Sequence, residues 1–193
     1  MIKIPNYLER LKPLPEDPPF KEIYGFWGEN FNAIVELFPV QNQLMVMPYD
    51  EQELIDGIHS SLAEDQGLIK VERTKTKEGN EFIYSIIKTY MGPKDGIQYF
   101  LRLQMLMKNK FYELCGFFNE YGITGYREAT IFAKYREEKK ENNMNGWTCD
   151  PYDSLFQKGN LMNLSEEQYY DRLFPKHPLT KCRELIEFVK NNN

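Results

Sequence analysis

The stretch LIKVERTKTKEGNEFIYSIIKTYMGPKDGIQYFLRLQMLMKNKFYELCGFF, from Leu68 to Phe118, decides the fold. It reads as strands at Leu68–Lys77, Phe82–Tyr90 and Ile97–Met107, with a fourth at Phe111–Phe118. The strand from Phe82 to Lys88 mixes β-branched and aromatic residues, and Ile97–Gln104 alternates apolar and polar over its second half. Lys77-Glu78-Gly79-Asn80 and Gly92-Pro93-Lys94-Asp95-Gly96 are hairpin turns by composition, and Lys108-Asn109-Lys110 makes a third. A long amphipathic helix then opens near Thr124. Its expected inner face holds Ala129, Phe132 and Ala133, joined by Tyr126 and Tyr135, and it ends in the solvated mixed-charge run Arg136–Glu141. This order predicts an α+β fold: an antiparallel β-sheet with helices packed on its faces, an α/β/α sandwich, plus a C-terminal helical extension.

Working upstream, two more strands are expected at Phe31–Phe38 and Leu44–Met47. Ala33, Val35 and Leu37 share one face, and Ile34, Glu36 and Phe38 the other. With both faces largely apolar, the first of these suits a strand covered on both sides. A helix follows, with Asp50 as N-cap and Glu53 at capping-box spacing. Leu54, Ile55, Ile58 and Leu62 form its stripe, and Gly67 is its expected stop. Residues 1–19 carry Pro5, Pro13, Pro15, Pro18 and Pro19, so this arm is extended and either wraps the domain or stays mobile. The aromatic cluster Ile23-Tyr24-Gly25-Phe26-Trp27 either seals the core or forms a contact surface.

Asn142-Asn143-Met144-Asn145-Gly146 reads as a linker, dividing a sheet domain at 20–141 from an extension at 142–193. In the extension, Ser165 is the expected cap of a helix Glu166–Phe174. Thr180 is the expected cap of a last helix with the stripe Cys182, Leu185, Ile186 and Val189. Trp147, Asp150, Tyr152 and Asp153 lie close together, with Glu166, Glu167, Asp171 and His177 downstream. Carboxylates beside a histidine suit metal binding or acid–base work. Yet the spacing matches neither a zinc-protease helix nor a calcium loop, and Asp150-Pro151 reads as a turn. Gly25-Phe26-Trp27-Gly28 lacks the lysine and hydroxyl of a phosphate loop. His59 has no partner close in sequence and reads as a structural or surface histidine. Cys115 reads as a small hydrophobe, and Met91, Met105 and Met107 as core filler or a methionine-lined groove.

Composition sets outer bounds. A 193-residue chain with 41% apolar and 15% aromatic residues can build a real core. Its net charge of −5 shows none of the basic surplus expected of a nucleic-acid binder. Neither a signal peptide nor a membrane span is expected. The three cysteines suit a reducing cytoplasm and no disulfide framework.

The strand pair, helix Asp50–Asp65, meander and Phe111-Tyr112-Glu113-Leu114-Cys115-Gly116 leading into the long helix resemble the PsbP-like α/β/α sandwich over residues 20–141. That group includes photosystem oxygen-evolving subunits, Ran-binding Mog-type proteins and bacterial proteins. No transit or lipoprotein signal like that of the photosystem members is expected, and Trp147–Asn193 has no counterpart among them. The resemblance implies a non-enzymatic scaffold that works by contact. The expectation is a cytoplasmic, bacterial protein-interaction or scaffold domain that binds another protein; within this class an immunity-type binder is one option, since small acidic α+β proteins suit that role. It would use no cofactor, metal, nucleic acid or membrane. Its binding residues would be Tyr24, Phe26 and Trp27 on one surface and Trp147, Asp150, Tyr152 and Asp153 on another. The alternative is a small-molecule binder or hydrolase with a cleft between sheet and extension, using His177, Asp150 and Asp153.

Overall fold

The computed structural model describes residues 2–18, 20–40, 50–139 and 144–193. The strand expected at Leu44–Met47 and the start of the linker at Asn142 fall outside them. Among the described residues one seven-stranded sheet forms, in the order β1-β2-β3-β7-β6-β5-β4. Its strands are β1 (Glu9–Leu11), β2 (Glu22–Trp27), β3 (Phe31–Pro39), β4 (Gln66–Lys75), β5 (Glu81–Gly92), β6 (Gly96–Met107) and β7 (Lys110–Glu120). Every pairing is antiparallel, as the meander predicts. The Lys108-Asn109 turn has both residues at positive φ, 50° and 61°, the geometry that matches the twist of a tight hairpin. Asparagine tolerates this region better than lysine.

Alternation assigns the two faces. Phe82, Tyr84 and Ile86 of β5 point the same way as Leu101, Leu103 and Met105 of β6, Leu114 and Phe118 of β7, and Val35 and Leu37 of β3. This face is covered by a C-terminal helix, Pro178–Asn192, through Leu179, Cys182, Leu185, Ile186 and Val189. Ile2 and Leu8 enter the same core, and the Lys3 N–H donates to Asn193 Oδ1 at 2.7 Å. The N-terminal arm therefore wraps the domain. On the opposite face, helix α1 (Glu51–Ser61) lays Ile55 and Ile58 over Leu68 and Val71 of β4, with Leu62 just past its end. Helix α2 (Tyr126–Lys139) packs Ile131 and Tyr135 against Trp147 and Phe174. The C-terminal helix is α3 in this order.

Several local expectations are corrected. Strand β3 is covered on one side: Phe31, Ala33, Val35 and Leu37 are buried, while Ile34 is exposed. Residues of the aromatic cluster themselves form β2. Gly67 does not end α1, which stops at Ser61. It lies in β4, where a Cβ would come within 1.8 Å of the Asn160 carbonyl oxygen, so glycine lets the tail backbone cross. The inner stripe of α2 is Arg127, Ile131 and Tyr135, whereas Ala129, Ala133 and Tyr126 are exposed. The stripe is rotated because the tail supplies partners for a buried arginine. Asn163 rather than Ser165 caps the next helical turn, Leu164–Glu166, in a capping box with Glu166, and the following Gln168–Leu173 is 3-10 helix. His177 rather than Thr180 caps α3, with Pro178 opening the helix.

Because α3 supplies one wall of the main core, the sheet cannot close without it. A chain ending at Gly146 is expected to lose the cooperative urea transition of the full chain. A sharp transition at a near-full-length midpoint would show that the sheet is stable without α3.

Candidate functional site: an acidic cleft closed by the tail

The sequence-predicted residues divide into two groups at opposite ends of the sheet. Tyr24 and Phe26 lie on β2 and pack against the main core. The Tyr24 hydroxyl donates to Glu22 at 2.8 Å, and Phe26 stacks on Phe31 at 4.6 Å and meets the Tyr7 ring edge-on. Trp27 points to the other face and is 63% exposed. At the far edge, Trp147 is buried between Phe132 and Tyr135. Asp150 is buried as well, and Oδ1 accepts the N–H groups of Tyr152 and Asp153. Its Oδ2 meets His59 Nε2 at 3.0 Å, while Phe156 stacks on the same imidazole. The Tyr152 hydroxyl accepts from the Val71 N–H at 2.5 Å and donates to the Val71 carbonyl at 2.8 Å. A tyrosine thereby stands in for a neighbouring strand on the β4 edge, which pairs with no other described strand. Asp153 is exposed, and its partners are local: its carboxylate accepts the Leu155 N–H and its carbonyl the Phe156 N–H. Asp150 pairs with His59 and His177 pairs with Glu120, so the structure does not join Asp150 and His177 in one cluster.

The densest chemistry lies where the ends of β5, β6 and β7 meet the tail. Lys88 continues the inward parity of Phe82, Tyr84 and Ile86, and is 1% exposed. Its ammonium donates to Glu166 Oε2 at 2.7 Å. Glu166 also accepts from the Tyr99 hydroxyl at 3.3 Å and the Asn163 N–H at 2.8 Å. Arg127, also 1% exposed, donates to the Ser165 and Glu167 carbonyls and to Asp171 Oδ1. Arg183 shares Asp171 at 2.9 Å. Isolated charges at such depth are strongly disfavoured, and here each is paired and hydrogen-bonded.

Beside this network opens a cleft of about 580 Å³ lined by Glu64, Asp65, Glu120 and Glu128, with Lys88 as its one cation among the described residues. Glu120 is held by the N–H groups of Ile97 and Gly125 and by His177. Gly96, at φ +66°, makes room for it, since a Cβ there would approach Glu120 Oε2 to 2.2 Å. Burial alone would push the Glu120 carboxyl up, but the His177 hydrogen bond and the backbone donors outweigh it and hold it below the usual range. Burial pushes His177 below its usual 6.5 against the pull of Glu120. Its Nδ1 accepts the Leu179 N–H, so the neutral ring carries its proton on Nε2 and donates it to Glu120. Glu128 is exposed on the helix surface, yet the cleft walls thin its water shell. That desolvation, with Glu166 and Glu120 nearby, raises its carboxyl pKa against the pull of Lys88.

Both histidines face carboxylates. Burial pushes the Cys115 and Cys182 thiols up to about 12, away from thiolate chemistry. Among the described residues, no group of three or more His, Cys, Asp or Glu side chains is placed to hold a metal ion. No described helix is long and apolar enough to cross a membrane. Sequence reasoning missed Lys88, Glu120 and Arg127. Lys88 had a signal, a lysine on the apolar parity of its strand. The others had none without their partners in the tail.

Stability should fall on acidification through two groups acting in the same direction. His177 is depressed in the folded state, so its contribution is complete above 6.5 and lost as pH falls through the folded value. Glu120 contributes above 4.5 and loses its share as pH falls through its own depressed value. His177→Asn keeps a capping acceptor but removes the principal partner of Glu120, and is expected to flatten the histidine limb of a urea-midpoint-against-pH curve and to shrink the carboxylate limb. Superimposable curves for the two proteins would contradict this assignment.

No protein-family model matches this chain, and no curated protein matches it.

Proposed function

We propose that this chain is a binding protein that works by contact, and that its working surface is the acidic cleft, which receives a basic side chain of a protein partner. The observation that carries this reading is the unbalanced charge of the cleft. Among the described residues four carboxylates line it, and the one cation there, Lys88, is already neutralised by Glu166. Large apolar side chains stand around the opening. Tyr90 is 47% exposed, and Ile123 and Tyr126, which flank the lining residues Thr124 and Gly125, are 80% and 62% exposed. A charged recess with an exposed aromatic and aliphatic margin is the pattern of a contact site. Its walls are held by buried ion pairs, so a guest would meet a preformed pocket and lose little to reordering.

The reading agrees with the contact-based role implied by the PsbP-like resemblance. A bacterial, cytoplasmic immunity-type binder belongs to the same class. A hydrolase built on Asp150, Asp153 and His177 is less well supported, because Asp150 is consumed by its turn and by His59.

Calorimetric titration with an acetylated hexa-arginine peptide, against a hexa-glutamate control, tests the proposal. Saturable binding of the arginine peptide alone is expected. It should weaken at least tenfold in the Glu64→Gln/Asp65→Asn double variant and vanish in about 1 M salt, where screening acts within ~3 Å. Equal binding by the double variant would overturn the assignment to this cleft.

A further inference from the structure

The sheet face opposite α3 carries, away from α1, a neutral band whose composition is legible in the strand register. Trp27 on β2 pairs with Asn32 on β3, Asn32 with Asn119 on β7, and Asn119 with Gln98 on β6. The three amides are linked: Gln98 Nε2 donates to Asn119 Oδ1 at 2.7 Å, and Asn119 Nδ2 donates to Asn32 Oδ1 at 2.7 Å. The chain of bonds is directional. It leaves amide N–H donors on Asn32 beside the indole and a carbonyl acceptor on Gln98 at the other end. In the adjacent row lie Ile34, Phe117 and Phe100, with the two phenyl rings 5.0 Å apart. The Trp27 ring occupies the space that a Cβ on Gly25 would take, only 2.5 Å from two of its atoms. Gly25 thus lets the indole lie across the strand while it remains 63% exposed. Charges begin one row further on and are already paired, Lys21 with Glu36 and Arg102 with Glu113.

We propose that this band, Trp27 with the Asn32–Asn119–Gln98 ladder, is a binding platform for a neutral oligosaccharide. A sugar ring presents aliphatic C–H groups on one side, which suit the exposed indole face. Its hydroxyls both donate and accept, so they match a row that offers amide donors at one end and a carbonyl at the other. The band carries no formal charge, which disfavours charged partners, and three strands hold the ladder, so little ordering accompanies binding. This surface is separate from the acidic cleft and does not depend on it.

The chain has two tryptophans, and Trp147 is buried, so emission reports on Trp27 against a constant background. The probes are maltohexaose, cellohexaose and chitohexaose, each titrated to about 10 mM, tenfold above a millimolar dissociation constant. At least one is expected to shift the emission saturably. The shift should disappear in Trp27→Ala, and affinity should fall at least fivefold in Asn32→Ala, with the urea midpoints of both variants unchanged. Silence toward all three sugars overturns the proposal, as does a response that survives in Trp27→Ala. Concentration-dependent shielding of Trp27 from acrylamide without sugar would also overturn it, by assigning the face to a second copy of the chain.

Discussion

Two cations stripped of water govern this structure. Lys88 sits on the inward parity of a central strand, and Arg127 on the inner stripe of α2, each 1% exposed. An unpaired charge at that depth would cost several kcal/mol, a large share of the net stability of a domain. The relief comes from a short run of the tail, where Glu166, Asp171 and the carbonyls of Ser165 and Glu167 supply the acceptors. The tail must therefore dock for the sheet to hold its charges. Once docked, it delivers α3 to the core and Tyr152 to the outer edge of β4 in the described sheet. The extension is thus part of the domain's energetic centre.

The same constraint shapes the cleft. Glu166 is spent on Lys88 and Tyr99, and Glu120 is fixed by backbone donors and a neutral histidine. What remains toward solvent is a surplus of carboxylate on a rigid frame, Glu64, Asp65 and Glu128. Rigidity and surplus charge come from one cause, because the residues that satisfy the buried cations also fix the walls.

Much of the architecture was legible in the sequence because it rests on local periods. The meander turns, the parity of β5 to β7 and the stripe Cys182, Leu185, Ile186 and Val189 all follow from spacing alone. The errors arise where a distant partner decides. Asn163 and Ser165 each have an acceptor three positions on. Asn163 prevails where Lys88, 78 positions away, fixes the Glu166 carboxylate. Arg127 turns α2 because its acceptors lie in the tail, and His59 finds Asp150 at a separation of 91. Trp147 and Asp150 drew notice as polar and aromatic neighbours, yet both are buried supports. The amide ladder is a property of register across three strands, which no single segment displays.

The most direct test of this account is a double-mutant cycle on Lys88→Met and Glu166→Gln, with unfolding in urea as the readout. Each single change leaves a buried partner unmatched and should cost about 3–5 kcal/mol. The double variant should cost far less than the sum, with a coupling of at least ~2 kcal/mol. Single losses below ~1 kcal/mol that simply add would show that the pair is solvated, and that the tail is held by something other than the charges it buries.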